Sequence, residues 1–138
     1  MPHINFFIKS IAISALTLSL IGQVSANNSA QERSLESGTS APQTALGTHR
    51  HALEIERASN ITIRSQELFP TAGASHFHLK AVLLDANSNT VATARNIRGG
   101  NIELNYQAQP GAYTLVVNGN TRSAKREGSD QYILEASL

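Results

Sequence analysis

The side chains best suited to chemistry in this sequence are its histidines. Apart from His3 they fall in two His-x-His pairs, His49 with His51 and His76 with His78. On a β-strand, residues i and i+2 project to the same face, so each pair can offer two imidazoles to one zinc or copper ion. A composite site of His49, His51, His76 and His78 is therefore the metal-ligating expectation, with ordinary rim histidines as the competing account. The phases of the pairs differ. His49 and His51 share parity with Leu53 and Ile55, whereas His76 and His78 oppose Phe77, Leu79 and Leu83. One pair thus leans toward a core and the other toward solvent, unless a pair lies beyond the end of its strand.

Other constellations have simpler explanations. Asp85-Ala86-Asn87-Ser88-Asn89 sets oxygen ligands at alternate positions, as a calcium loop would, but it lacks the glycine and the distant bidentate glutamate, and a hairpin turn accounts for every residue. Glu54 and Glu56 alternate on one strand face, whereas an acid and base pair must face each other across a substrate. Serines are plentiful, yet no G-x-S-x-G elbow frames one. The chain has no cysteine, which removes thiol catalysis, cysteine metal ligation and a lipoprotein anchor. Tyr106, Tyr113 and Tyr132 could stack on a sugar, but their parity sets them with the inward apolar residues. Arg95 and Arg98, like Arg122, Lys125 and Arg126, read as solvated loop charge. No catalytic residues are assigned, and the chain is expected not to be an enzyme.

Several elements must position these side chains. Residues 1–26 carry Lys9, an apolar run through Ile11, Ile13, Leu16, Leu18 and Leu20, and the small residues Ser25 and Ala26. This is the pattern of a secretory signal cleaved after Ala26, too short and too interrupted by serine and threonine for an anchor. Lys9 is its single charged residue, so the mature chain balances ten basic against ten acidic side chains. Such a balance argues against a nucleic-acid partner. Residues 27–50 are rich in Asn, Ser, Gln, Thr and Pro without a sustained period, and are expected to be a disordered polar leader.

From residue 51 the period becomes two. Leu53 and Ile55, Ile61 and Ile63, then Phe77, Leu79, Ala81 and Leu83, then Ile102, Leu104 and Tyr106 alternate with polar residues. Pro110-Gly111 turns the chain into its organising strand, in which Tyr113, Leu115 and Val117 share one face. A last strand sets Tyr132, Leu134, Ala136 and Leu138 together. About seven strands with turn signals at short intervals and no helical period predict an all-β antiparallel sandwich over 51–138, of jelly-roll or immunoglobulin-like type.

The order ITIRS, HLKAVLLDANSNTVATA, IELNYQAQPGAYTLVVNG and YILEASL resembles the bacterial pre-peptidase C-terminal domain, a small jelly-roll-like sandwich appended to secreted proteases and other exported enzymes. The resemblance spans residues 52–138, and its most specific parts are the strand ending in Asp85, the Pro110-Gly111-Ala112-Tyr113 turn and the terminal Tyr132-Ile133-Leu134. It implies structure and no catalysis. Family members often carry aspartates in a D-L-Y-L-like run where this chain has His76-Phe77-His78-Leu79-Lys80, so a calcium site does not carry over. Together these readings predict an exported, non-enzymatic binding or accessory module, periplasmic or secreted, that engages a protein or polysaccharide. It would not stay inserted in a membrane once the signal is cleaved. The alternative is a periplasmic metal-binding protein using the His-x-His pairs with zinc or copper.

Overall fold

The computed structural model describes residues 31–68, 77–121 and 130–138. The expected signal at 1–26, His76 and the basic loop residues Arg122, Lys125 and Arg126 lie outside them. Eleven strands, rather than about seven, form among the described residues: β1 (Glu32–Ser34), β2 (Gly38–Thr39), β3 (Gln43–Thr44), β4 (Gly47–Ile55), β5 (Ser59–Glu67), β6 (Phe77–Leu84), β7 (Thr90–Thr93), β8 (Arg95–Asn96), β9 (Ile102–Ala108), β10 (Gly111–Thr121) and β11 (Gln131–Ser137). They make two sheets. One has the order β1-β4-β10-β6-β7, and the other runs β2-β11-β5-β9-β8 with β3 also paired to β11. Every pairing is antiparallel except β1 with β4.

Alternation decides which faces meet. Leu53 and Ile55 of β4, Phe77, Leu79, Ala81 and Leu83 of β6, and Tyr113, Leu115 and Val117 of β10 are buried from one sheet. Ile61 and Ile63 of β5, Ile102 and Leu104 of β9, and Tyr132, Leu134 and Ala136 of β11 are buried from the other. Two half-buried sheets with a shared apolar interior form a two-layer β-sandwich. Strand β10 is the middle strand of its sheet, bonded along its length by β4 on one side and β6 on the other. The Tyr113 hydroxyl donates to the Gln109 carbonyl at 2.9 Å and accepts from the Gln109 amide at 3.1 Å, so the same side chain packs the core and braces the turn that leads into the strand.

Successive strands repeatedly change sheets. Between β7 and β8 the crossing occupies the single residue Ala94, whose amide donates to the Ala81 carbonyl at 2.9 Å. The β6–β7 turn is closed by Asp85, which accepts from the amides of Asn87 and Asn89, both at 2.9 Å, while Ser88 takes a left-handed φ of 63°. These bonds, that from Asn89 foremost, hold the Asp85 carboxyl below its ordinary range. One oxygen of the suggested calcium loop is therefore spent on the turn itself.

The expectation of a disordered leader over 27–50 is corrected for the described part of that stretch. β1, β2, β3 and the first residues of β4 lie within it, and Leu35, Gln43 and Ala45 are buried. Its strands are two or three residues long and so show no period. They are held by distant partners: Ser40 exchanges bonds with Leu134 through its amide at 2.8 Å and its hydroxyl at 2.9 Å, and the Ala45 amide donates to the Asp130 carbonyl at 2.8 Å. In this way a polar segment covers the outer edge of β11.

Glu103 is the buried exception among the outward-facing residues of β9. It faces outward as its parity demands, but it is nearly inaccessible, because Arg64 of β5 and Arg95 of β8 stand directly opposite it and both bind its carboxylate. The hydrogen bond from Arg95, helped by the Arg64 charge, lowers its pKa against the effect of desolvation. Two arginines from the flanking strands thus enclose a carboxylate that the strand period alone would leave in water.

Candidate functional site

Strand β4 delivers the first histidine pair to the interior. His51 stands across from Leu115 and His49 across from Val117, both on the inner face of the sheet. His51 is buried at 1% exposure, and His49 is half-buried at the rim. The Nε2 of His49 lies 2.9 Å from the Thr44 carbonyl. A carbonyl can only accept, so Nε2 carries a proton, and in the neutral imidazole Nδ1 is then the nitrogen with the lone pair. The His49 ring meets that of Tyr132, from β11 of the opposite sheet, edge to face with centroids 6.2 Å apart.

His51 Nε2, the Tyr132 hydroxyl and Asp130 Oδ2 are buried side-chain atoms with no hydrogen-bond partner among the described residues. Buried polar atoms are nearly always bonded, and each exception calls for a cause. Here they cluster. Asp130 and Tyr132 are two residues apart where β11 begins, Tyr132 touches His49, and Arg33, opposite His51 on β1, acts electrostatically on both His51 and Tyr132. Burial, and then the charges of His49 and Arg33, pull His51 down to about 4, so at neutral pH its imidazole is uncharged. Burial pushes the Tyr132 phenol up, with Arg33 opposing.

The four-histidine arrangement is not assembled. His78 lies on the exposed face of β6, opposite in parity to the buried Phe77 and Leu79, and β10 separates β6 from β4. His76 is outside the described residues. Among the described residues no three His, Cys, Asp or Glu side chains converge as a metal site would require. Asp130 therefore does not complete a site with His49 and His51. Tyr132 was read from its parity as a core residue; it is one, but the orphaned hydroxyl beside the histidines becomes visible only when the two sheets are brought together.

A separate groove of about 1070 Å³ opens at the edge formed by β1 and β4. It is lined by Leu53, Ile55 and Tyr113 together with the charged residues Glu32, Glu36, Glu54, Glu56 and Arg57. Glu54 and Glu56 are exposed, as their alternation leads one to expect, and line this groove. Of the three tyrosines, Tyr113 and Tyr132 are buried, and Tyr106 is partly buried against Tyr113 with ring centroids 6.0 Å apart. None forms an open stacking platform.

No family model matches this sequence, and no curated protein matches it. Solved structures do. The pre-peptidase C-terminal domain of a collagenase from Bacillus anthracis superposes with a TM-score of 0.60 at 21% identity, covering 80% of this chain and 99% of that one. CorA, a surface-associated copper-binding protein important in copper acquisition by Methylomicrobium album BG8, superposes with a TM-score of 0.52 at 9% identity, covering 79% of this chain and 98% of that one. The chain shares their fold, and the first likeness agrees with the resemblance carried by its strand and turn sequences.

Proposed function

We propose that this chain is an exported, non-enzymatic β-sandwich module that engages a protein or polysaccharide outside the cytoplasm. The observation that carries the reading is the match to nearly the whole of a domain that is an accessory part of a collagenase. A surface-associated protein with the same architecture supports the same compartment. The acidic groove beside β1 is the surface on which a partner docks, being concave and lined by both apolar and charged side chains. The test is cosedimentation of the purified protein with cell-envelope polysaccharide, and cross-linking to purified exported proteins, each repeated with Glu54→Lys and Glu56→Lys combined. Saturable binding that the double variant loses supports the reading. Binding that is unchanged in the variant moves the partner off the groove, and absence of saturable binding to either class contradicts the module's role.

A second reading, metal binding, is favoured by one specific observation: the inner-face pair His49 and His51 lies where buried polar atoms lack partners. The fold shared with a copper-binding protein supports it.

A further inference from the structure

We propose that His49 Nδ1, His51 Nε2 and the Tyr132 phenolic oxygen form an interior site for one divalent copper ion. The inference rests on the metal-binding reading and deepens it by naming the donors and the ion.

Each donor is argued from its own surroundings. Tyr132 is fully buried, and its hydroxyl has no partner among the described residues. Leaving such a group unsatisfied costs about 1–3 kcal/mol, whereas phenylalanine would fill the same volume without that cost. His51 presents a second orphaned atom, Nε2, from β4. In neutral His49 the Thr44 carbonyl holds the proton on Nε2, the arrangement by which a backbone acceptor commonly orients a ligating imidazole and leaves its other nitrogen for a metal. His49 is also the half-exposed member of the group, so an ion enters past it, while His51 and Tyr132 close the inner end. Two imidazole nitrogens and one phenolic oxygen suit copper, which heads the affinity order of the divalent first-row metals for nitrogen and oxygen donors. Binding would release the phenolic proton, since a ligating oxygen must be deprotonated. An ordered water bridging the same orphaned atoms is the rival occupant.

The experiment uses the purified chain freed of metal by chelation and titrated with copper(II), with zinc as a competitor. The expected result is one copper per chain, a visible charge-transfer band from phenolate to copper, and a higher melting temperature. Tyr132→Phe should leave the melting temperature of the metal-free protein unchanged or raised, abolish the band and weaken copper binding. His49→Gln, at the rim, should weaken it ten- to a hundredfold. Stoichiometric copper binding that both variants retain at full strength overturns this site while leaving the metal-binding reading standing. Absence of stoichiometric binding overturns both and assigns the cluster to water. Zinc holding the site against equimolar copper overturns the choice of metal.

Discussion

The carbonyl oxygen of Ala45 lies 1.7 Å from the point where a β-carbon on residue 119 would stand, so Gly119 is the residue that lets the β3–β4 connection press onto the central strand. The carbonyl carbon of Ala45 and a methyl of Leu79 are the next atoms such a β-carbon would meet, at 2.8 and 2.9 Å. Backbone cannot swing aside as a side chain can. Gly119→Ala should therefore cost about 3 kcal/mol, the upper part of the range for overpacking, out of a total of about 5–15 kcal/mol. The urea midpoint is the measurement, and an unchanged midpoint would show that the connection is free to move.

The middle strand should show strong contrast between its faces. Leu115 is fully buried, whereas Thr114 is half-buried on the outer face and donates to Glu32 at 3.3 Å. Leu115→Ala should cost about 2–5 kcal/mol through lost transfer energy and a residual cavity. Thr114→Ala should stay within about 1 kcal/mol. Similar losses at both positions, measured by urea unfolding, would mean that the strand is covered on both faces.

Much of this architecture was legible in local sequence, and the reason is geometric. Where a strand is long and half-buried, as in Phe77–Leu84 or Gly111–Thr121, the period of two is written into consecutive residues. The order of segment 31–46 is not legible locally because it comes from partners almost a hundred residues away, such as Ser40 with Leu134, and no local period records such a bond. Glu103 looked like a solvent residue because the arginines that cover it come from neighbouring strands. The histidine pair on β4 was legible from spacing. Its meeting with Tyr132 was not, since that depends on how two sheets face each other.

Removing residues 31–46 should therefore destabilise the sandwich rather than trim a tail. Leu35, Gln43 and Ala45 would leave buried positions, and the edge of β11 would lose β2 and β3. Truncation at Gly47 should lower the melting temperature by well over 5 °C, since each 1 kcal/mol lost shifts a domain of this size by about 4–8 °C. Limited proteolysis that yields a fully stable fragment beginning near Thr48 would contradict the built-in role of the segment.

The buried histidine predicts a pH dependence for the metal-free protein. His51 is pulled from 6.5 to about 4, chiefly by burial. Between those values the unfolded chain binds a proton that the folded chain does not. Stability is thus full above about pH 6.5 and falls as the pH drops toward 4, with a slope below about 1.4 kcal/mol per pH unit, the limit for one proton. The lowered carboxylates Asp85 and Glu103 act in the same direction but lower, as the pH falls below their ordinary values of 3.8 and 4.5. Urea midpoints at about pH 7.5 and pH 5 should differ in the wild type and converge in His51→Leu. Equal wild-type midpoints would place His51 in contact with water.

Export underlies the proposed role, and intact mass spectrometry of the protein after cell fractionation tests it most directly. The account predicts a chain beginning at Asn27, recovered from the periplasm or the medium. A full-length chain beginning at Met1 and confined to the cytoplasm would contradict it.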